Sequence, residues 1–512
     1  MTGMELRQKR MPTPKVAFSQ TPFLLLLNLS FGGILLLGAV LAHGVESIDF
    51  EIFILLLGLY AVATVYFLVS RARSGRFHVF DIPTFTTVLC FVRFGLVPLS
   101  SFLDPELLDP FFHRGDYSLL NRALCYFMLG MLGFWAGCSL VVKKSGKTAD
   151  PPPETGTEAQ APTRSPVDAM LVLLMVSLAT KIYIFKNFGW GYAMSMDVYF
   201  KNLALLQVLL VIAELGIYVL AIAAIEMHFH PGDDFRRILF VVAFTAELFW
   251  GALSGMKLPL FRGFLLVAMI ASIRKGKLEK RWLAAIVLGF VLIYPISDRY
   301  RALLRGGKVD VTGFNSLEQA GDAAVQQTAE RESGWRGWLA NGYRRTLTRL
   351  DLLQLFAVVL SLDAHQLDRL QGDERLWMIP FYPFIPRFMW KSKPVLMRAG
   401  KLSLVLGAGS ETATALTYPG DLYVDYGVGG MVVGMFLLGV IGQVFTNWIT
   451  GPYEKRDLFF YTAMFVGLAN VMEGEAFPAW SGLIRNVVLV GALTYAIYGG
   501  RRARASPRRR PS

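Results

Sequence analysis

Apolar stretches long enough to cross a lipid bilayer recur along almost the whole chain. A membrane-spanning helix needs about 20 apolar residues, because the hydrocarbon core is about 30 Å thick. Hydrophobic residues make up 54% of the sequence and charged residues 17%, a balance outside that of soluble domains. We therefore predict an all-α polytopic membrane protein with about twelve spans, at residues 22–42, 51–70, 82–102, 122–142, 168–185, 204–225, 238–254, 258–273, 282–297, 426–448, 458–472 and 481–498.

The distribution of Lys and Arg between the predicted spans indicates how the chain is oriented. Cations cluster in one set of connecting segments, whereas the alternate short loops at 43–50 and 473–480 contain no Lys or Arg. Cytoplasmic loops carry the excess of Lys and Arg in multi-pass proteins. The pattern therefore predicts that both termini are cytoplasmic. Because most cations flank spans, the net charge of +13 does not indicate a nucleic-acid partner.

The segments between the spans divide the chain into six regions. Residues 145–166 are rich in Pro, Thr, Ala and Glu and contain almost nothing to bury, which is typical of a disordered linker. The apolar run at 350–362 is too short to span, so we predict an interfacial or domain-core helix there. The predicted regions are an N-terminal four-span bundle (1–142), a disordered cytoplasmic linker (143–167), spans five to nine (168–297), a large extracytoplasmic loop domain (298–425), spans ten to twelve (426–498) and a basic cytoplasmic tail (499–512).

Several ionisable side chains fall within predicted spans, where each costs several kcal/mol unless it is paired or wet. They are Arg93, Lys181, Glu214, Glu247 and Arg485. We expect the two carboxylates to form ion pairs with Arg93 or Lys181, and structural pairing explains these residues at least as well as catalysis. Glu473 and Glu475 lie in a short predicted loop without a cation of its own. They therefore need a partner elsewhere or a function.

The sequence contains no pattern that indicates a metal or a cofactor. The three cysteines, Cys90, Cys125 and Cys138, fall in apolar segments and predict buried, inert thiols. His228 and His230 lie beside acidic residues in a predicted cytoplasmic loop, and surface solvation explains them better than metal binding. No Walker loop, dinucleotide fingerprint or nucleophile elbow occurs. We therefore predict neither a metal site nor a cofactor.

The segment 380–442 gathers cations, carboxylates and aromatic residues in front of an apolar helix. The cations between 387 and 398 are interleaved with Phe, Trp and Pro, and Arg offers a two-pronged fork to phosphate oxygens. Glu411, Asp421 and Asp425 follow, and a carboxylate there is a candidate general base for a sugar hydroxyl. This composition is typical of a surface that handles an anionic, lipid-linked substrate.

These motifs resemble parts of one known family. The stretch IPRFMWKSKP and the later YPGDLYVDYGVGGMVVGMFLLG resemble the extracytoplasmic loop and following span of Wzy-type O-antigen and exopolysaccharide polymerases. FVRFGLVPL and SGMKLPLFRG also look like segments of those proteins. The resemblance implies a C-type glycosyltransferase architecture and a metal-independent, inverting transfer. In that reaction a growing glycan leaves undecaprenyl pyrophosphate for another lipid-linked repeat unit, at the outer face of a bacterial inner membrane.

The resemblance also implies partners and roles for particular residues. The expected partners are an undecaprenyl-pyrophosphate-linked oligosaccharide, membrane lipid, a chain-length regulator and a flippase. A ligase of the same superfamily and a lipid-linked oligosaccharide flippase remain alternatives. The expected pyrophosphate ligands are Lys257, Arg262, Arg387, Lys391, Lys393 and Arg398; the candidate catalytic bases are Glu411, Asp421 and Glu475; the candidate sugar-stacking residues are Trp390, Tyr418 and Tyr423.

Overall fold

The structure, a computed structural model, is helical throughout the part of the chain that it describes. That part comprises residues 48–74, 78–104, 107, 117–141, 166–194, 196–275, 281–282, 284, 288, 296–297, 300, 303–304, 319, 322–323, 343–344, 346–371, 378–385, 389–390, 392–394, 398–407, 416–448, 455–468 and 471–499. No strand occurs among these residues.

The helices follow one another with short connections or with segments outside the described residues. In chain order they are α1 (Ile48–Arg73), α2 (Ile82–Phe91), α3 (Leu99–Leu103), α4 (Ser118–Leu140), α5 (Pro166–Phe188), α6 (Met196–Lys201), α7 (Leu203–Ala213), α8 (Leu215–Phe229), α9 (Asp234–Leu253), α10 (Lys257–Lys275), α11 (Leu352–Ser361), α12 (Ala364–Leu370), α13 (Arg398–Val405), α14 (Tyr418–Trp448), α15 (Lys455–Leu468) and α16 (Ala476–Tyr498). Four of them begin after an aspartate whose side chain accepts a backbone N–H, which stabilises the helix start. These aspartates are Asp81, Asp233, Asp351 and Asp363.

Seven helices among the described residues are long and apolar enough to cross a membrane. They make the protein a multi-pass helical membrane protein, and they are Ile48–Arg73, Ile82–Phe102, Ser118–Leu140, Pro166–Phe188, Leu203–Phe229, Tyr418–Asn447 and Ala476–Tyr498. Each lies at a predicted span.

The other five predicted spans are not among these seven helices. The span at 22–42 and most of that at 282–297 lie outside the described residues. Helices α9, α10 and α15 form at the predicted spans 238–254, 258–273 and 458–472, but they are shorter or less apolar than the other seven. A total of twelve spans therefore stays a prediction.

Close packing of α4 against α14 holds the centre of the described bundle together. Small residues on α4 let the two backbones approach, as is common between membrane helices. A Cβ atom on Gly137 would overlap the carbonyl oxygen of Phe436, and one on Gly133 would lie 2.7 Å from the carbonyl oxygen of Val432. Neither position therefore accepts a larger residue unless α14 moves.

Helix α14 begins earlier than the span predicted from residue 426. It starts at Tyr418 and bends at Gly427, where φ is 63°. Glycine adopts this left-handed backbone without the steric cost of a side chain. The bend separates a first segment, which carries Asp421 and Asp425 one turn apart, from the long apolar segment that follows. The apolar pattern thus located the second segment, and the first belongs to the charged network described below.

The short apolar run near residue 350 forms a buried helix. In α11, Leu352, Leu353 and Phe356 are fully buried and belong to the main hydrophobic core. Arg122 of α4 donates a hydrogen bond to the carbonyl of Leu360, at 2.6 Å. Of the two predicted alternatives, the structure thus has the core helix. Because α11 packs on α4, it attaches part of the predicted loop domain to the membrane helices.

Candidate functional site

A cavity of about 330 Å³ lies between helices α8, α10, α15 and α16. This volume is within the range of small-molecule sites, which are mostly apolar with a few polar groups. The polar residues that line the cavity are Glu214, Tyr218, Arg262, Glu475, Arg485 and Asn486. Two predicted site residues from distant parts of the chain, Arg262 and Glu475, therefore meet at one cavity.

Glu214 reaches the cavity because its helix is interrupted at that residue, between α7 and α8. The Ser177 hydroxyl of α5 donates to the Ala213 carbonyl at 2.7 Å and accepts from the Gly216 N–H at 3.1 Å. Backbone groups released by the break are thereby satisfied by a neighbouring helix, as buried backbone requires. The Glu214 side chain is 44% exposed, which is unusual for a carboxylate in the middle of an apolar span.

Arg262 of α10 and Arg485 of α16 approach Glu214 from two directions. Each places one guanidinium nitrogen 3.7 Å from a different oxygen of the Glu214 carboxylate. Arg485 comes nine residues after Ala476, the first residue of α16, so it lies about 14 Å along that helix. The three charges therefore meet within the bundle, where electrostatic interactions are stronger than in bulk water.

The two guanidinium groups at the cavity make few hydrogen bonds. A guanidinium carries five N–H donors. Within the described part of the chain Arg262 makes no hydrogen bond, and its buried Nε atom has no acceptor. Among the described residues, Arg485 donates hydrogen bonds only to Oδ1 of the neighbouring Asn486, at 3.4 and 3.5 Å, beyond the usual distance. Because a buried donor without an acceptor costs about 1–3 kcal/mol, the geometry favours a ligand that supplies acceptor oxygens.

One of the ion pairs expected from the sequence forms beside this cavity. Lys181 of α5 pairs with Glu247 of α9, and both side chains are largely buried. Arg93, the other expected partner, instead pairs with Glu473 at 3.2 Å. Glu214 approaches neither of its expected partners closely enough to pair among the described residues. Its position between two arginines is the feature that distinguishes it from Glu247.

Arg398, a predicted phosphate ligand, forms a buried network with two acidic residues of α14. Its Nη1 atom lies 2.8 Å from an oxygen of Asp421 and 2.8 Å from an oxygen of Asp425. The second oxygen of Asp421 accepts the backbone N–H of Ala476 at 2.7 Å. Arg398 and Asp421 are both 2% exposed. The network joins α13, α14 and α16, and the predicted roles of Arg398 and Asp421 in binding and catalysis stay predictions.

Glu475 connects this network to the cavity. It immediately precedes α16, and its Oε1 atom accepts the backbone N–H of Ala399 at 2.7 Å, near the start of α13. Asp421 in turn accepts the N–H of Ala476. The first turns of two helices are thus stabilised by carboxylates from other elements, as their exposed N–H groups and dipoles favour. Of the two candidate bases that the structure describes, Glu475 lines the cavity and Asp421 does not.

Lys393 and Trp390 lie together around Tyr382, and neither of them lines the cavity. The Lys393 ammonium donates to the Ile385 carbonyl at 2.9 Å and lies 4.3 Å from the centre of the Tyr382 ring. The Trp390 ring packs edge-on against the same Tyr382, with 6.2 Å between ring centres. Lys393 is only 6% exposed. In this arrangement it binds backbone and aromatic groups of its own loop.

The other two candidate sugar-stacking residues pack against the protein. Tyr418 is fully buried, and its hydroxyl donates to the Gly434 carbonyl at 3.1 Å. Tyr423 is half-buried and meets the ring of Phe356 edge-on, with 6.4 Å between centres. Neither ring lines the cavity. Their predicted role in sugar binding remains a prediction.

The remaining predicted site residues fall where the structure gives no side-chain description. Glu411, Arg387 and Lys391 lie outside the described residues, and Lys257 is described only as the first residue of α10. Their predicted roles are therefore untested.

A second network holds the turn that precedes Glu475. Arg93 lies in a one-turn π-helix, Val92–Leu96, and reaches Glu473. Arg349 contacts the other oxygen of Glu473 at 2.6 Å. Arg93 also donates to the Leu350 carbonyl at 3.3 Å. These contacts give Glu473 the distant partner that its charge-poor loop required, and they link the turn to two other parts of the chain.

Asp351, next to this network, is a buried carboxylate with neutral hydrogen-bond partners. It accepts from the Ser101 hydroxyl at 3.3 Å and from the Gln354 side chain at 2.8 Å. Burial raises the pKa of Asp351 to about 6, and the hydrogen bonds from Gln354 and Ser101 oppose that rise in pKa. The sequence analysis did not single out Asp351, because a lone aspartate before an apolar run is an ordinary helix cap.

Sequence analysis also missed part of the cavity. Glu214 and Arg485 were recognised as ionisable residues within spans, but Glu214 was expected to pair with Arg93 or Lys181, and neither residue was assigned to the site. Asn486 was not noticed at all. The available signal was the presence of charges within otherwise apolar runs, and it identified which residues matter without revealing that they share one cavity.

The fold and the cavity together define a class: a multi-pass helical membrane protein with ionisable side chains gathered at an internal cavity. Among the described residues, no three His, Cys, Asp or Glu side chains group closely enough to hold a metal ion. No protein-family model, curated protein or solved structure matches the chain. The assignment of a function therefore depends on the chemistry of the residues themselves.

Proposed function

We propose that this protein is a glycosyltransferase of the bacterial inner membrane that polymerises undecaprenyl-pyrophosphate-linked oligosaccharide repeat units. One observation carries the proposal. The cavity presents two guanidinium groups with few hydrogen bonds, from Arg262 and Arg485, and it also contains the carboxylate of Glu475. A guanidinium group can donate two parallel N–H bonds to two oxygens of one phosphate, and a nearby carboxylate can act as a general base. Transfer of a sugar from pyrophosphate to a hydroxyl group needs cations to bind the pyrophosphate and a base to accept the hydroxyl proton.

The proposed reaction assigns a separate task to each side of the cavity. Arg262 and Arg485 bind the pyrophosphate and stabilise the negative charge that develops when it leaves, which is commonly the largest catalytic contribution. The acceptor hydroxyl oxygen attacks the anomeric carbon, the bond from that carbon to the pyrophosphate oxygen breaks, and the hydroxyl proton passes to Glu475. The hydrogen bond from the Ala399 N–H orients the Glu475 carboxylate.

In the proposed enzyme, Arg398 and Asp421 support the site without binding the substrate. Arg398 and Asp421 hold α13 against α14 and α16, and this contact fixes the start of α16 just after Glu475. In the proposed protein the large predicted loop receives the sugars on the outer face of the membrane. The predicted cations Lys257, Arg387 and Lys391 would add to the positive charge there. Polymerisation, as opposed to a single transfer, is supported by the resemblance of 386–442 to Wzy-type polymerases.

The test uses the purified full-length protein in lipid nanodiscs, a synthetic undecaprenyl-pyrophosphate oligosaccharide and gel analysis of the products, with EDTA present. We expect a ladder spaced by one repeat unit. Arg262→Ala and Glu475→Gln should each lower the rate by at least about 100-fold. Arg237→Ala serves as the matched control, since Arg237 is an exposed cation in the first turn of α9 and does not line the cavity.

Other outcomes would assign the protein to one of the alternatives. A single transfer to a different acceptor, without a ladder, would indicate a ligase. If no product forms with any repeat unit and fluorescent lipid-linked oligosaccharide instead crosses the bilayer of proteoliposomes, the protein is a flippase and the catalytic roles are wrong.

A further inference from the structure

We infer that Glu214 is an internal substitute for the anionic ligand: it neutralises Arg262 and Arg485 until a phosphate or pyrophosphate group displaces it. This inference rests on the proposed function to the extent that both place the anion at the same two arginines. It adds that Glu214 competes with the anion for the same two arginines. The affinity for the anion then depends on how much more strongly the arginines bind the anion than they bind Glu214.

The distances around Glu214 are those of a replaceable counterion. Its oxygens lie 3.7 Å from both guanidinium groups, beyond hydrogen-bond distance. By contrast, the buried arginine–carboxylate pair of Arg71 and Asp81 is hydrogen-bonded, at 2.7 Å. Glu214 thus balances charge while leaving the N–H donors of both arginines largely without acceptors.

Phosphate oxygens would supply what Glu214 does not. A phosphate or pyrophosphate group offers several acceptor oxygens and accepts two parallel N–H bonds from one guanidinium. Two guanidinium groups that face one cavity could each bind in this way. The buried Nε of Arg262, which has no acceptor among the described residues, is a donor that such a ligand would satisfy.

The surroundings of Glu214 provide a place for its carboxylate after displacement. Lys181 lies within electrostatic range of both Glu214 and Arg262. Counting Lys181, Arg262 and Arg485 against Glu214, Glu247 and Glu475 leaves no net charge. If Glu214 turns toward Lys181, the two guanidinium groups lose the carboxylate that lies 3.7 Å from each of them, and an incoming anion can take its place. Glu214 lies at the interruption between α7 and α8, and its side chain is 44% exposed.

The experiment measures binding of inorganic pyrophosphate by the full-length protein in nanodiscs, by isothermal titration calorimetry at constant ionic strength. We expect Glu214→Gln to tighten binding about five- to tenfold, because the variant removes the competing charge. Arg485→Ala should weaken binding at least tenfold. Asp234→Asn, which removes an exposed carboxylate of α9 far from the cavity, should leave the dissociation constant unchanged.

Thermal stability separates this arrangement from an ordinary structural ion pair. Without pyrophosphate, Glu214→Gln should unfold at a lower temperature than the wild type, and saturating pyrophosphate should raise its Tm by more than it raises the wild-type Tm. If the variant does not fold, Glu214→Asp replaces it. Its shorter side chain competes less well, so intermediate tightening is expected. Unchanged or weaker binding in both variants, or no pyrophosphate binding by any form, would overturn the inference.

The two proposals fail in different ways. If pyrophosphate binds, Glu214→Gln binds it more tightly and no glycan product forms, the proposed function is wrong and the substitute role of Glu214 stands. If glycan chains form while Glu214→Gln shows no gain in affinity, the transferase stands and the substitute role is wrong.

Discussion

Two clusters within the helical bundle both combine arginine with a carboxylate, but the distances between their nitrogen and oxygen atoms differ. In the first, Arg71 donates to Asp81 at 2.7 and 3.2 Å and to Gln443 at 2.7 Å, and Asp81 accepts from the Thr84 N–H at 2.7 Å. In the second, Glu214 and the two arginines at the cavity stay 3.7 Å apart. The two clusters therefore differ in the extent of their hydrogen bonding and not in the presence of charge, and we propose a ligand site only for the second.

The difference has a physical basis. A buried charge is tolerated when its donors and acceptors are all used, and such a cluster then stabilises one arrangement of helices. A cluster with unused donors beside a cavity is costly without a ligand and gains free energy when one binds. We call the Arg71, Asp81 and Gln443 side chains the closed cluster, and the Glu214, Arg262 and Arg485 side chains the open cluster.

The largest effect is expected from opening the closed cluster. Arg71→Ala leaves the buried carboxylate of Asp81 without its cation and should lower the free energy of unfolding by about 3–5 kcal/mol. Thermal or denaturant unfolding in detergent micelles measures this. Arg237→Ala, which removes an exposed ion pair, should change it by less than about 1 kcal/mol. Equal losses in the two variants would contradict the distinction between buried and exposed pairs.

Within the open cluster, replacing Arg485 should change activity strongly and stability hardly at all. Arg485→Ala should lower the rate of glycan transfer about 100-fold, equivalent to about 2.7 kcal/mol, because it removes donors to the leaving pyrophosphate. Its Tm should change little, since Arg485 makes only long contacts. Arg485→Lys should recover part of the rate, because it keeps the charge without the fork. A strongly destabilised Arg485→Ala with normal turnover per folded molecule would make this cluster structural as well.

Packing beside the closed cluster offers a way to disturb it without touching a charge. Gly137→Ala places a methyl group against the Phe436 carbonyl and should push α14, which carries Gln443, away from α4. We expect a loss of about 1–3 kcal/mol in the free energy of unfolding and an unchanged pyrophosphate affinity. Gly491→Ala is the matched control, because a Cβ there meets nothing within 4 Å. A changed affinity in Gly137→Ala would show that the two clusters are coupled.

Asp351 provides an intermediate case, a buried carboxylate with neutral partners, and its effect depends on pH. Its pKa is raised from 3.8 to about 6 by burial, so the folded protein holds this proton more tightly than the unfolded chain. The contribution of Asp351 to stability is therefore present below about pH 4 and is lost as pH rises toward 6. Between pH 4.5 and 6 the loss should reach about 1.5 kcal/mol, because the slope of about 1.4 kcal/mol per pH unit flattens as the pH approaches the folded pKa.

The measurement compares Tm values across this pH range for the wild type and Asp351→Asn, which cannot titrate. Subtracting the two curves removes the contributions of all other carboxylates. We expect the wild type to lose stability relative to the variant as pH rises. A flat difference curve would show that the Asp351 pKa is not raised in the folded protein.

The helices were largely predictable, because each is a local property of the chain. The apolar runs at 51–70 and 122–142 needed no partner to be recognised, and α1 and α4 lie there. The interruption at Glu214 was not predictable in the same way, since the Ser177 hydroxyl that satisfies its backbone comes from another helix. The bend at Gly427 was not predicted either, because it falls within a continuous run of helix-forming and apolar residues.

The sequence predicted the types of residue in the candidate site, but only some of the particular residues that form it. Arg262 and Glu475 were assigned to it from cations and carboxylates near the predicted outer surface, and both line the cavity. Arg398 and Asp421 looked equally suitable, yet they bond to one another at 2.8 Å, where α13 meets the first segment of α14. Composition identifies groups that can bind phosphate, but it does not show which of them have already been used within the protein.

A helical membrane protein, its main apolar spans and the presence of charges within them follow from the amino-acid order, because hydrophobic length acts on each segment separately. The pairing of those charges does not. Glu214 meets Arg262 and Arg485 only because α8, α10 and α16 pack around one cavity. Ion pairing depends on distances of a few ångströms between helices far apart in sequence, and only packing sets those distances.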